Sequence, residues 1–227
     1  MTYREVLQKA DEINAQNLIR DSIVSIPVLH DITERKACDS LARYGIETIG
    51  GRYEIKVEQA LGIKPEAVHS VVVVRKKSAK IIVAAQNVCW TRMAQAKEYA
   101  HIYSGLDPRG YCADDESGFT KESLNLLLTA ARNARQNLPE DDDESIPNDE
   151  VACFYLAMEI LLPEMETKSN GNLRAEAMEM YLQNNKDILA IAKRFRIPEK
   201  IVMHFFERGY SERSTNSRAT MSTFSKP

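Results

Sequence analysis

Residues 70–85 hold two β-branched runs, Ser70–Arg75 and residues 80–85, either side of Lys76-Lys77-Ser78-Ala79. That pattern specifies a β-hairpin. A lone hairpin is marginal in water and needs a layer packed on one face. The chain supplies one at once. From Trp90 the apolar period becomes helical, and residues 91–104 carry three alanines and no Gly or Pro. Gly105 and Pro108 stop that helix. A sheet element followed directly by its covering helix points to an α+β fold.

The remaining pattern is mostly helical. Residues 1–20 have sparse apolar positions, Val6, Leu7, Ile13 and Leu18, and read as a loosely docked amphipathic helix. Residues 31–44 read as a helix capped by Thr33, followed by a short strand at Ile46-Glu47-Thr48-Ile49. Residues 57–61 and 120–137 are expected to be helical, with a solvated acidic loop at 140–144. A very apolar helix is expected from Asp149 to Leu162, ended by Pro163. After a linker at 164–172, residues 173–209 are helical in pattern. Residues 211–227 hold five Ser and three Thr and read as a disordered tail.

These boundaries divide the chain into an N-terminal helical extension (1–30), a central domain (31–163), a C-terminal helical subdomain (164–210) and the tail (211–227). At 227 residues it can bury a core without staples. Charged residues make up 28% and the net charge is −3, so no global basicity advertises nucleic acid. The start lacks the order of a signal peptide, and the four cysteines, Cys38, Cys89, Cys112 and Cys153, include no C-x-x-C pair. The expectation is a cytoplasmic chain with reduced thiols.

The chemistry concentrates in residues 92–101, Arg-Met-Ala-Gln-Ala-Lys-Glu-Tyr-Ala-His. Residues four apart share one helix face. His-Glu-x-x-His uses that spacing to put two imidazoles on one zinc, with the Glu activating the bound water. Here Glu98 and His101 stand in place, but Lys97 holds the first ligand position. Taken alone, Lys-Glu-x-x-His has almost no specificity and reads more readily as a solvated charged face.

The order of motifs resembles the ImmA/IrrE metallopeptidase family. Its run Arg-Phe-Thr-x-Ala-His-Glu-x-x-His is matched by Arg92, Ala96, Glu98 and His101. Met93, Ala94 and Lys97 depart from it. Residues 150–163, Glu-Val-Ala-Cys-Phe-Tyr-Leu-Ala-Met-Glu-Ile-Leu-Leu-Pro, resemble the family's later helix, whose Glu is the third zinc ligand and maps onto Glu150. Residues 191–202 are similar to a third landmark near the family's C-terminus. The resemblance implies a zincin-like domain, with a small antiparallel or mixed sheet, a helical majority and a C-terminal helical segment. It also implies a role in phage, mobile-element or stress circuits, where family members cleave a helix–turn–helix repressor.

Lys97 changes that implication. An ammonium cannot ligate zinc and repels it, while catalytic zinc takes three protein ligands and a water. The expectation is therefore an inactive scaffold without a cofactor, in which His101 and Glu150 are vestigial ligands and Glu98 a vestigial base. Lys97, Glu98, His101 and Glu150 then serve to bind a protein partner such as a repressor, with the Lys97 ammonium paired to Glu98 or Glu150. The alternative is an active zinc peptidase with an atypical site, through a neutralised Lys97 or a ligand from His30, His69, His204, Cys112 or Cys153. A third reading is a DNA-binding regulator using residues 185–208. There Lys186, Lys193, Arg194, Arg196, Lys200 and Arg208 outnumber Asp187, Glu199 and Glu207 by three. The second helix of that segment is mostly apolar, which favours packing over reading bases. The basic cluster Arg75, Lys76, Lys77 and Lys80 sits at the hairpin turn, where such charges protect a sheet edge.

Overall fold

A computed structural model describes residues 1–16, 18–20, 23–40, 45–51, 70–75, 78–84, 87–105, 146, 149–164, 172–183, 186–207 and 210–224. Among them the chain is α+β, with eight helices and two small sheets. The helices expected at 57–61 and 120–137, and the acidic loop expected at 140–144, lie outside the described residues.

Helix α1 (Tyr3–Asn14) opens on a reciprocal cap. Thr2 Oγ1 accepts from the Glu5 amide at 3.2 Å, and Glu5 Oε2 accepts from the Thr2 amide at 2.7 Å. Tyr3, Val6, Leu7, Ala10 and Ile13 follow helical spacing and are fully buried. The helix is therefore part of the core, not a loosely docked extension. Sparse apolar positions suffice when all fall on one stripe. Strands β1 (Ile19–Arg20) and β2 (Ile23–Val24) form a small antiparallel pair.

Helix α2 (Ile26–Ser40) begins well before the expected start. Ser25 precedes it, its Oγ accepting from the Val28 amide at 3.4 Å, and Pro27 suits a first turn. Thr33 is thus not a cap. It is buried mid-helix, its hydroxyl donating to the Leu29 carbonyl at 2.8 Å.

Strands β3 (Gly45–Gly51), β4 (Ser70–Arg75) and β5 (Ser78–Ala84) form a mixed sheet in the order β3-β5-β4. The β4–β5 hairpin is the expected one, with only residues 76 and 77 between the strands. β3 adds in parallel to β5. Alternation places Ser70 and Val72 of β4, and Ala79, Ile81 and Val83 of β5, on the buried side. Helix α3 (Val88–Ser104) covers the sheet and packs also on α2 and on α4 (Asp149–Leu161). α4 in turn packs on α1.

Helices α5 (Leu173–Gln183), α6 (Ile188–Phe195) and α7 (Glu199–Glu207) follow. Arg196 turns the chain between α6 and α7 in the left-handed region, at φ 53°. Ile191, Phe195, Ile197, Ile201, Val202 and Phe205 are buried, so this helix–turn–helix is packed core, as its apolar second helix foretold.

Residues 210–224 are not a disordered tail. They form α8 (Tyr210–Phe224), packed on α7 and α1. Among its described side chains the buried ones are Ser214 and Ser217, which hydropathy does not reveal as a docking face. No helix among the described residues is long and apolar enough to cross a membrane.

Candidate functional site

Helix α3 is fixed at both ends. Asn87 Oδ1 accepts from the Trp90 amide at 3.0 Å, and Gly105, at φ 60°, closes the last turn on Ile102. Between them Met93, Ala96, Tyr99, Ala100 and Tyr103 fill the core, while Glu98 and His101 are buried with them. The alanines let the sheet and the neighbouring helices approach closely.

Glu98 anchors the centre of the site. Its side chain is 2% exposed. Oε1 accepts from Ser70 Oγ at 2.6 Å and pairs with Lys97 Nζ at 2.8 Å. Ser70 reaches it because strand alternation turns the first residue of β4 towards α3. The Lys97 side chain is 17% exposed, so its ammonium stays at the edge of solvent while facing the carboxylate. An unpaired buried carboxylate is costly, and a cation with a hydroxyl on one oxygen offsets that cost.

His101 lies one turn beyond Glu98 and is 5% exposed. Glu150 sits in the first turn of α4, the helix packed on α3, and its side chain is outside the described residues. The other histidine and cysteine candidates are placed as follows. His30 Nδ1 lies 3.1 Å from the Tyr99 hydroxyl, and the two rings meet edge to face. His204 packs its ring 5.8 Å from that of Tyr155. Cys153 is buried on α4. His69 and Cys112 are outside the described residues.

The donor set around Glu98 does not fit zinc. Lys97, one residue before Glu98, offers an ammonium and not a neutral imidazole, and that ammonium engages the Glu98 carboxylate. Among the described residues no three His, Cys, Asp or Glu side chains cluster as a metal site.

Arg92 does a different job. Its Nη2 donates to the Val24 carbonyl at 2.8 Å and its Nε to the Arg196 carbonyl at 3.2 Å. One guanidinium thus ties the start of α3 to β2 and to the α6–α7 turn. Burial, with Arg196 nearby, lowers its pKa from the ordinary arginine value. Among the described side chains of α7, Glu199, Lys200 and Met203 are exposed, a poor set for reading base edges.

Sequence reasoning missed a second cluster altogether. Glu159, fully buried on α4, pairs with Arg174 of α5 and Arg218 of α8, both at 2.7 Å. Ser214 of α8 donates to its other oxygen at 3.1 Å. Arg218 also reaches Asp11 of α1 at 3.0 Å and Glu164 at 3.0 Å, and Arg174 reaches Glu164 at 3.2 Å. One signal was available. Glu159 interrupts the most apolar of the described helices, and a carboxylate there demands a partner.

Set beside known proteins, the chain matches no family model and no curated protein. A solved structure of a Mycobacterium tuberculosis transcriptional regulator superposes with a TM-score of 0.31 at 17% identity, over 90% of this chain and 51% of that one. This chain therefore spans about half the length of that regulator, and a likeness of this size fixes neither fold nor function.

Proposed function

We propose that the chain is a non-cleaving regulatory protein on an ImmA/IrrE-like, zincin-type scaffold. In this reading it acts in the cytoplasm by holding a protein partner, such as a helix–turn–helix repressor, through the cleft where the family would cleave one. The observation that carries this reading is the Lys97–Glu98 pair at 2.8 Å. In this reading the Lys97 ammonium takes the place of a metal's charge and occupies the carboxylate that a peptidase would keep for water. The sequence support is the ordered set Arg92, Ala96, Glu98, His101 and Glu150.

Zinc stoichiometry tests it. The purified protein is expected to carry no stoichiometric zinc, while Lys97→His, which rebuilds His-Glu-x-x-His, gains measurable zinc affinity. About one zinc per wild-type chain, lost on His101→Ala, overturns the non-cleaving reading. A Lys97→His protein that folds but takes up no zinc overturns the scaffold assignment instead.

A further inference from the structure

We infer that α6 and the two turns beside it form a docking face for the phosphate backbone of duplex nucleic acid, through Lys186, Lys193, Arg196 and Lys200. The inference goes beyond the role given to Lys97 and does not depend on it. The chain carries a net charge of −3, yet between residues 186 and 200 cations outnumber carboxylates five to two. Arg194 is taken up by Glu176 at 2.8 Å. The other four cations are exposed, and among the described residues none of them is in an ion pair. Of the two carboxylates, Asp187 caps α6, its Oδ1 accepting from the Ala190 amide at 2.9 Å.

The backbone adds a second observation. Among the described residues, the non-glycine residues with positive φ are Lys186, at 64°, and Arg196, at 53°. They stand just before and just after α6, where glycine would adopt that conformation with less strain. α6 already has Lys193 and Arg194 in its last turn, so Arg196 adds a charge that the helix dipole does not call for. Arg92 reinforces the field from behind, its Nε donating to the Arg196 carbonyl at 3.2 Å. Burial first, and Arg196 second, lower the Arg92 pKa. Cations held at one turn repel, and a bound anion relieves that repulsion.

The face suits a duplex better than other polyanions. Between residues 186 and 200 the large exposed apolar side chain is Leu189, too little to anchor a protein partner or enter a membrane surface. The aromatic in that span, Phe195, is buried, so no platform stacks unpaired bases. The eight residues of α6 span about 12 Å, the width of a major groove, so cations at its two ends can reach phosphates on both rims.

Fluorescence anisotropy of the full chain with labelled duplexes of unrelated sequence tests the face. Wild type is expected to bind each duplex alike, in the roughly 10⁻⁴–10⁻⁶ M range of sequence-independent binding, with a slope of log K on log salt of about −3 to −4. The Lys186→Gly, Arg196→Gly double variant relieves both positive-φ positions and is expected to melt no lower than wild type. It should still bind at least about tenfold more weakly, with the slope reduced by about 2. Lys193→Gln with Lys200→Gln, both on exposed side chains, should weaken binding to a similar degree and keeps the test open if the glycine variant fails to fold. Wild type that binds no duplex at about 50 mM salt overturns the proposal. So does a folded double variant of either kind that binds like wild type, or polyglutamate bound as tightly as a duplex of equal charge.

Discussion

Lys97, Glu98 and Ser70 form a unit in which each member's value depends on the others. Ser70 and Lys97 act on the same carboxylate oxygen, at 2.6 and 2.8 Å. Removing the ammonium leaves a buried anion with one hydroxyl donor. Lys97→Ala is therefore expected to destabilise the protein by about 2 kcal/mol, between the values for exposed and buried pairs. In a Glu98→Gln background the side chain is neutral and the same change should cost under about 1 kcal/mol. Urea unfolding of the four proteins of this cycle measures the difference. Equal costs in both backgrounds would mean that Lys97 contributes only packing of its methylenes.

At the scale of elements, Arg92 links three pieces distant in sequence: α3, β2 and the α6–α7 turn. Arg92→Ala is expected to cost about 1–2 kcal/mol, since one part-buried and one exposed carbonyl lose charged donors. Arg92→Lys should recover less than half, because one ammonium cannot reproduce the fork. Thermal unfolding of both variants checks this, and full rescue by lysine would refute the two-carbonyl geometry. The sequence motif gave Arg92 significance only by resemblance, and its contacts were invisible there because both acceptors are backbone atoms. Other elements were legible from local pattern. The β4–β5 hairpin and the stop of α3 at Gly105 follow from β-branching and glycine chemistry. Thr33 misled because a hydroxyl near a helix start resembles a cap, while the true start at Ile26 has a proline in its first turn. α8 misled for a deeper reason. Among its described side chains the docked ones are Ser214, Ser217 and Arg218, which hydropathy scores as solvent. Of the candidate site, Lys97, Glu98 and His101 could be placed on one helix from spacing alone. Ser70 could not, because its role depends on which strand face meets that helix.

At the scale of the molecule, the ion network joins α1, α4, α5 and α8 and gives stability a pH signature with two opposing parts. Burial by itself pushes the Glu159 carboxyl up, but Arg174 and Arg218 outweigh it and hold the pKa below the ordinary 4.5. A folded value below the unfolded one contributes stability that is present above about pH 4.5 and lost as pH falls through the depressed value. Asp11 behaves oppositely. Burial, reinforced by Glu159 and Glu164 and opposed by Arg218, leaves its pKa above the ordinary 3.8. Its contribution is present below about pH 3.8 and lost as pH rises through the raised value. Glu159→Gln is therefore expected to cost about 3–5 kcal/mol at pH 7, the range for a broken buried pair, and progressively less on acidification. Asp11→Asn should instead stabilise the protein at pH 7, because the asparagine resembles the protonated acid that the fold favours, and that gain should shrink as pH falls. Denaturant unfolding of the three proteins at several pH values between 7 and 3 separates the two trends. Costs that move in the same direction would show that Asp11 and Glu159 do not share Arg218 as an attractive partner in opposed burial environments. In that case α8 is held by contacts other than the network described for it.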